Sequence, residues 1–309
     1  MDFLCIGEPL IELTSPPDMP SRFDRQAGGD TLNTAVYLAR LLPPGSVGYL
    51  SKLGDDAMSG FLRQTLADEG IIDLCGTVAG GRPGLSFITT DETGERSFTY
   101  WRDQSPARRL FSSADALAVL DQAATLVLSG VTLAMLLPDG RNALLRALER
   151  RHAEGARIVL DTNYRPALWS DAAEGRAAIA RAAALATLIL PSLDDLAACF
   201  GTIEPSDAMR LLIGLSQAEI VLTTGGDAVL HRAAGAETFD IWPLPPKRTA
   251  RDTTGAGDSF NAGWLAARLI GRTPVEAIAC AARLAAEVVL HPGAILPHHA
   301  MPAADVILT

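Results

Sequence analysis

Short apolar segments alternate along the chain with stretches of helical periodicity. Several segments rich in Val, Ile and Leu lack the polar alternation of a half-exposed strand, so they are predicted to be strands covered on both faces. These segments lie at 3–7, 47–52, 125–129, 157–161, 187–190 and 219–223. Apolar residues recur at helical spacing after Asp30 and after Asp56, and the same pattern predicts further helices. Those helices lie at 139–153, 172–185, 206–214, 257–270 and 275–289. The alternation is typical of a doubly wound α/β fold, with a mostly parallel sheet and helices on both faces.

Two stretches, 9–27 and 77–104, break this alternation. The first is rich in proline, and neither has a helical pattern. In the second, apolar segments at 85–90 and 96–101 flank a polar sequence at 91–94, which is typical of a β-hairpin with a glycine-containing loop. We therefore expect all 309 residues to form a single domain, in which these two stretches build a small β-sheet that acts as a lid.

Composition and charge exclude several classes of function. The chain has 36 acidic residues against 26 Lys and Arg, and nucleic acid is not an expected partner because its phosphates bind basic surfaces. A composition of 48% hydrophobic and 20% charged residues is typical of a globular protein that folds without disulfides or metal. The four cysteines are too scattered for a zinc site, so we expect reduced packing residues. Without a basic N-terminal region or a long uncharged apolar stretch, we expect no membrane association and a cytoplasmic location.

The sharpest chemical signal is the segment 252–260, DTTGAGDSF, which leads into a predicted helix. Small residues let the backbone approach a ligand, and the first amides of a helix are unpaired donors at the positive end of its dipole, so the segment predicts a phosphate site. Asp258 would repel a phosphate unless it lay to one side as a base that accepts a proton from an attacking hydroxyl. The segment therefore indicates an anion hole plus a base, an arrangement for phosphoryl transfer. For a lone GxGD, an ordinary glycine turn would be the plainer interpretation.

This segment resembles the C-terminal signature of the ribokinase-like (PfkB-type) carbohydrate kinases. The segment 28–35, GGDTLNTA, resembles their N-terminal double-glycine motif, and the resemblance covers essentially the whole chain. It implies a ribokinase-like fold. Within the family, RSFTYWR at 96–102, DTNYRPALW at 161–169 and LPSLDD at 190–195 are most similar to 2-dehydro-3-deoxygluconate (KDG) kinases. Those enzymes phosphorylate the 6-hydroxyl of a keto-deoxy sugar acid with ATP.

The resemblance implies a role for each matching position. Asp258 is expected to be the base, and the amides of Gly255, Ala256 and Gly257 are expected to form the anion hole. The residues implied in sugar binding are Gly29, Asp30, Asn33, Tyr100, Arg102, Arg165 and Asp258. The residues implied in nucleotide binding are Ser192, Thr223, Gly225, Gly226, Asp227, Gly255, Gly257, Gly293 and Ala294.

The sequence departs from the family pattern at two places. An Asn-x-x-Glu pattern associated with divalent metal reads Ser-Leu-Asp-Asp at 192–195, and Asp195 is expected in place of the acid. A lysine often found in the nucleotide loop is absent, which puts one phosphate contact in question. Plainer interpretations also exist, because Asp30 could be an ordinary helix N-cap and Arg102 a solvated strand residue. Arg165 is more suggestive, since it follows a predicted strand at the carboxyl edge of the sheet, where ligands bind.

These features predict an ATP-dependent sugar kinase that acts on KDG, with Mg²⁺ bridging the phosphate oxygens of ATP. The resemblance leaves a monovalent cation requirement open. One alternative is a kinase for fructose or another neutral sugar, and another is a catalytically silent sugar or nucleotide sensor, although a sensor has no need of a base. P-loop, dinucleotide, nucleophile-elbow and HExxH motifs are absent from the sequence. We also expect a homodimer or a higher homo-oligomer through the lids, because an apolar sheet face usually finds a partner.

Overall fold

The computed structural model describes residues 1–15, 19, 21–90 and 96–309. Fifteen strands and eleven α-helices lie within these residues. The strands are β1 (Phe3–Ile6), β2 (Leu10–Thr14), β3 (Asp24–Gly28), β4 (Val47–Leu50), β5 (Lys52–Leu53), β6 (Ile72–Asp73), β7 (Gly76–Thr77), β8 (Gly84–Thr90), β9 (Arg96–Trp101), β10 (Thr125–Ser129), β11 (Arg157–Asp161), β12 (Leu188–Leu190), β13 (Glu219–Thr223), β14 (Ala228–Arg232) and β15 (Asp240–Pro243). The helices are α1 (Asp30–Leu41), α2 (Ala57–Asp68), α3 (Ala114–Val119), α4 (Gly130–Met135), α5 (Pro138–Ala153), α6 (Ala172–Leu185), α7 (Leu193–Phe200), α8 (Pro205–Leu215), α9 (Ala256–Leu269), α10 (Pro274–Val288) and α11 (Ala304–Leu308).

The main sheet has nine strands in the order β15-β14-β13-β12-β11-β10-β1-β4-β6. From β13 to β6, each strand pairs in parallel with the strand beside it. All six strands predicted from the sequence lie in this part of the sheet. The prediction of a mostly parallel sheet is therefore confirmed. The sheet ends in an antiparallel hairpin, β14 and β15, which the sequence pattern did not predict.

Two apolar cores, one on each face of this sheet, explain why its strands lack polar alternation. Successive side chains of a strand point to opposite faces. In β10, Leu126 and Leu128 pack into the core that includes α5 and α6, and Val127 packs into the core that includes α1, α9 and α10. All five residues of β10 are buried. Each fully buried Leu or Val contributes roughly 1.5–3 kcal/mol, so both faces select apolar residues.

A separate four-stranded sheet has the order β3-β2-β8-β9, and we call it the small sheet. Its strands come from the two stretches that broke the alternation, and β2 and β8 pair in parallel between two antiparallel pairs. The predicted hairpin turn at 91–94 lies outside the described residues. Phe23, Phe87 and Trp101 form edge-to-face contacts on one face, with ring centroids 5.7 and 4.6 Å apart. Tyr100 points to the opposite face because it adjoins Trp101 on the strand.

A buried ion pair joins the small sheet to the main sheet. Glu8 follows β1 and Arg102 follows β9, and the Nε of Arg102 donates a hydrogen bond of 2.9 Å to Oε2 of Glu8. Only 2% of Glu8 and 7% of Arg102 is exposed. Removing one partner of such a pair leaves a buried charge without compensation, at a cost of about 3–5 kcal/mol. The pair therefore fixes the end of β9 against the end of β1.

The cysteines are unpaired, as the sequence predicted. Cys5, Cys199 and Cys280 are buried, and Cys75 is half-buried. Burial raises the pKa of the Cys199 thiol to about 11, so this side chain stays protonated at neutral pH. Among the described residues, no helix is long and apolar enough to cross a membrane.

Candidate active site

Four polar side chains meet where β11 ends and where α1 and α9 begin. Asn33 Nδ2 donates a hydrogen bond of 2.8 Å to Oδ2 of Asp258, and Asn163 Nδ2 donates one of 2.7 Å to Oδ2 of Asp30. Asp30 and Asn33 lie in the first turns of α1, and Asp258 lies in the first turn of α9. The structure thus brings together three residues that the two sequence motifs singled out, at the carboxyl edge of a parallel sheet.

Asp258 has the electrostatic environment of a proton acceptor. Burial raises the pKa of its carboxyl group to about 7, and the nearby charge of Asp30 adds to the increase. The hydrogen bond from Asn33 and the charge of Arg165 act in the opposite direction. A group with a pKa near 7 can both lose and accept a proton at neutral pH, which suits a general base.

The N-terminus of α9 combines a tightly packed glycine with an open one. Gly255 adopts a φ of 76°, and a Cβ at this position would lie 2.5 Å from the carbonyl oxygen of Ala294. A Cβ on Gly257 would meet nothing within 4 Å. The amides of Gly255 and Gly257 make no hydrogen bond to the described residues, whereas Ala256 N donates one of 3.2 Å to the carbonyl of Thr253. Two of the three predicted anion-hole amides are therefore free to bind an anion at the positive end of the helix dipole.

Gly29 lets α1 begin directly against the end of β1. Its φ is 119°, and a Cβ at this position would lie 2.5 Å from the carbonyl oxygen of Glu8. The next residue, Asp30, accepts a hydrogen bond of 2.8 Å from the amide of Thr31 on Oδ1, which leaves Oδ2 to Asn163. The N-cap of α1 is Gly29, so Asp30 is not the helix N-cap that was the plainer interpretation, and its second oxygen is held by Asn163.

Arg165 is the cation among these carboxylates. Its Nη1 donates a hydrogen bond of 2.7 Å to Oδ1 of Asp195, while 56% of its side chain stays exposed. Burial raises the pKa of Tyr100, and the charges of Arg102 and Arg165 oppose that increase. The carboxylate of Asp195, predicted to substitute for a metal-associated acid, thus has a guanidinium partner. Its contribution to metal binding stays a prediction.

Tyr100 and Arg102, at the end of β9, differ in exposure and in hydrogen bonding. The Tyr100 side chain is half-exposed, and its ring centre lies 5.7 Å from Cζ of Arg102. Arg102 uses Nε and Nη2 on Glu8, and its Nη1 has no partner among the described residues. Arg102 is therefore not the solvated strand residue that was the plainer interpretation, and one of its nitrogens remains for a ligand.

The predicted nucleotide residues fall into two groups. Ser192 and Thr223 form a parallel bridge between the ends of β12 and β13, and the loop 224–227 follows β13. Gly293 donates its amide to Oδ2 of Asp252 at 2.5 Å, which holds it beside the segment that leads into α9. Ala294 contacts Gly255, as described above. Gly293 and Ala294 thus lie against the start of α9, whereas the loop 224–227 lies at the end of β13 in the main sheet.

Comparison with known proteins identifies the group to which the chain is related. Residues 2–301 match the profile of the pfkB family carbohydrate kinases. The chain belongs to the pfkB family. It is 37% identical to a 2-dehydro-3-deoxygluconokinase of Dickeya dadantii over 96% of this chain and 97% of that protein. The family match and this relative make it a sugar kinase.

Solved structures agree with the ribokinase-like fold of this kinase. Aminoimidazole riboside kinase from Salmonella enterica, in complex with aminoimidazole riboside and an ATP analogue, has a TM-score of 0.81 and 27% identity, over 99% of this chain and 98% of that one. A ribokinase-like protein from Escherichia coli, in complex with ATP and Mg²⁺, has a TM-score of 0.84 and 22% identity, over 99% of this chain and 97% of that one. The predicted fold class is confirmed.

Two site residues of this kinase have no assigned role in the sequence analysis. Asn163 lies within the segment DTNYRPALW, but only the structure reveals its contact with Asp30. Lys247 lies in the connector before α9, where its Nζ contacts Oδ1 of Asp227 at 2.9 Å. Its Cε lies 3.4 Å from the position of a Cβ on Gly226. A lysine is therefore present in space at the predicted nucleotide loop, although none occurs in the loop sequence.

Proposed function

We propose that this kinase transfers the terminal phosphoryl group of ATP to the 6-hydroxyl of KDG. The observation that carries the proposal is the carboxyl group of Asp258, whose pKa is raised to about 7 beside the free amides at the start of α9. A base next to an anion site is the minimum that phosphoryl transfer to an alcohol requires. The identity with a 2-dehydro-3-deoxygluconokinase supports KDG as the acceptor.

In the proposed reaction, Asp258 accepts the proton of the 6-hydroxyl as that oxygen attacks the terminal phosphorus atom of ATP, and the bond from this phosphorus to the bridging oxygen breaks to release ADP. Asn33 holds the carboxylate through its 2.8 Å hydrogen bond, so that the oxygen which takes the proton is oriented before the substrate arrives. The amides of Gly255 and Gly257 stabilise the negative charge on the transferred group. Asp30 and Gly29 bind sugar hydroxyls on the other side of Asp258.

Arg165 and Arg102 are proposed to hold the carboxylate of the acid sugar. A carboxylate that leaves water for a closed site requires a charged partner, because otherwise desolvation outweighs the gain. Arg165 has an exposed guanidinium, and Arg102 offers Nη1. A charge-assisted hydrogen bond from either one is worth roughly 1.5–3 kcal/mol.

ATP is proposed to bind across the loop 224–227 and the N-terminus of α9, with Ser192, Thr223, Gly293 and Ala294 beside it. The described residues contain no group of three or more His, Cys, Asp or Glu arranged to hold a metal ion. We therefore expect Mg²⁺ to arrive on the phosphates of the nucleotide, where it neutralises part of their charge. Support comes from the same fold in the Escherichia coli protein, which holds ATP and Mg²⁺. The requirement for a monovalent cation stays open.

ADP release with KDG, gluconate and fructose as acceptors tests the function. We expect the highest kcat/KM with KDG, and we expect Asp258→Asn to lower kcat by about 10²–10⁴-fold while ATP and sugar still bind. A preference for fructose would replace KDG with the neutral-sugar alternative. Full turnover by a folded Asp258→Asn variant would remove Asp258 as the base. Absence of turnover with every acceptor would favour the sensor.

A second experiment tests the acid-sugar contact. Arg102→Ala would strand Glu8 as an unpaired buried charge, so Arg102→Lys is the better variant, because it keeps a cation beside Glu8 but removes the guanidinium. We expect kcat/KM for KDG to fall about 10-fold or more, with a similar loss for gluconate, which also carries a carboxylate, and a smaller change for the neutral sugar fructose. Equal losses with KDG and fructose would contradict a role in carboxylate recognition.

A further inference from the structure

The backbone of Asn163 has a conformation that side chains rarely adopt. Its φ of 21° makes it the one non-glycine residue with positive φ in the described part of the chain. The amide of Asn163 donates a hydrogen bond of 3.1 Å to Oδ1 of Asp161. The other oxygen of Asp161 accepts one of 3.0 Å from Asn261 of α9. Strain of this kind persists where surrounding contacts enforce it, and it is concentrated at functional sites.

Only one of the two polar atoms of the Asn163 side chain has a hydrogen-bond partner among the described residues. Its Nδ2 donates to Asp30, while its Oδ1 is buried and has no partner among the described residues. Asn33 repeats this arrangement, because its Nδ2 donates to Asp258 and its buried Oδ1 also has no partner. Asn163 is 8% exposed and Asn33 is 4% exposed. A buried acceptor without a donor destabilises a protein, so two of them beside two carboxylates point to a ligand that brings hydroxyl donors.

We propose that Asn163 is a specificity residue of this kinase, which orients Asp30 with Nδ2 and accepts a hydrogen bond from a sugar hydroxyl on Oδ1. The carboxylate and the amide oxygen then form a pair of acceptors for hydroxyl groups of the acceptor substrate. Asp161 holds the backbone of Asn163 in the conformation that directs the amide to Asp30. The proposal rests on the proposed function, since it assigns a further contact to the same sugar.

Two variants distinguish the effect of the Asn163 side-chain amide from the effect of its backbone conformation. Asn163→Gly deletes the amide and adopts positive φ without strain, whereas Asn163→Ala deletes the amide and keeps the strain. We expect Asn163→Gly to melt close to the wild-type temperature, to lower kcat/KM for KDG by about 10- to 100-fold through KM, and to leave KM for ATP unchanged. Asn163→Ala should show the same change in KM with a lower melting temperature. Wild-type KM for KDG in Asn163→Gly would overturn the proposal.

Two further measurements distinguish recognition from a structural role. KDG analogues that each lack one hydroxyl should include one for which wild type and Asn163→Gly have the same KM. A penalty that persists with every analogue would show that Asn163 contacts no hydroxyl. In a double-mutant cycle, Asn163→Gly and Asp30→Ala together should cost less than the sum of their separate losses, because either change removes the orienting contact between the two residues. Additive losses would refute the orientation of Asp30 by Asn163.

The wild-type control keeps this inference separate from the proposed function. If wild type phosphorylates another sugar instead of KDG, the function is wrong as stated, and the variants are measured with that sugar and its deoxy analogues. If wild type phosphorylates no sugar, binding of the sugars to wild type and Asn163→Gly is compared by calorimetry. Equal affinity would then overturn the role of Asn163.

Discussion

The pKa of Asp258 is set by neighbours that act in opposite directions. Burial and the charge of Asp30 favour the protonated carboxyl group, while the Asn33 hydrogen bond and the charge of Arg165 favour the carboxylate. A base must be ionised to accept a proton, so activity should rise with pH through a pKa of about 7 and level off above it. Individual neighbours can be removed without touching the base itself.

Asp30→Asn and Asn33→Ala should move this pH dependence in opposite directions. Asp30→Asn removes a negative charge that raises the pKa of Asp258, so the acidic limb should move to lower pH. Asn33→Ala removes a hydrogen bond that stabilises the carboxylate, so the limb should move to higher pH. The measurement is kcat/KM for the sugar between about pH 5 and about pH 9. Shifts of the same sign would mean that another group controls the limb.

At the scale of the element, two glycines at the N-terminus of α9 allow a matched pair of substitutions. Gly255→Ala should destabilise the protein, because it requires a positive φ and a clash with the Ala294 backbone. Gly257→Ala should fold normally, since its Cβ meets no atom of the described residues within 4 Å. If phosphate occupies the space beside Gly257, this stable variant should still lose kcat/KM for ATP. Wild-type kinetics in a folded Gly257→Ala would contradict an anion site there.

The connector before α9 carries a second prediction. Lys247→Met keeps the apolar stem over Gly226 but removes the ammonium group that contacts Asp227. If Lys247 replaces the lysine missing from the nucleotide loop, KM for ATP should rise about 3- to 10-fold with an unchanged KM for KDG. Arg248→Met is the matched control, because Arg248 pairs with Glu287 instead. An equal effect of both variants would indicate a general loss of positive charge.

At the scale of the whole molecule, the outward face of the small sheet predicts a dimer. Trp101 is 64% exposed and Phe23 is 42% exposed, and both contact Phe87. Phe98 does not belong to this face, because it stacks on Tyr100 on the other side of the strand, and Ile88 is buried. Apolar patches of this kind usually mark an interface. The homodimer therefore remains our prediction, with a smaller set of residues than the sequence suggested.

Light scattering at micromolar concentration tests it with two variants. Trp101→Glu should give a monomer, because a charge would be buried in the interface. Ile203→Glu should leave the dimer intact, since Ile203 is equally apolar and 74% exposed but lies between α7 and α8. A monomeric wild type would refute the dimer, and a dimeric Trp101→Glu would locate the interface elsewhere.

Local patterns predicted most of the fold, because buried parallel strands and amphipathic helices are encoded in consecutive residues. The hairpin of β14 and β15 escaped prediction, since β14 ends in the polar residues His231 and Arg232, and β15 has four residues that begin with Asp240 and end with Pro243. The segment DTTGAGDSF predicted a base and an anion site, but not the Asn33 contact, which joins residues far apart in sequence. The pairing of Arg102 with Glu8 was invisible for the same reason. Tertiary contacts between distant polar residues leave no periodicity in a single sequence.

The parallel pairing of β2 with β8 also determines when the small sheet can be completed during synthesis of the chain. Leu10 pairs with Gly84, so the partner of β2 is synthesised only after α1, β4 and α2. Closing so long a loop costs entropy before any contact compensates for it, which slows folding. Until β8 leaves the ribosome, β2 pairs with β3 alone and its other edge can pair with strands of neighbouring chains. Biosynthesis therefore contains an interval, between the emergence of β3 and that of β8, in which one edge of β2 lacks its native partner strand.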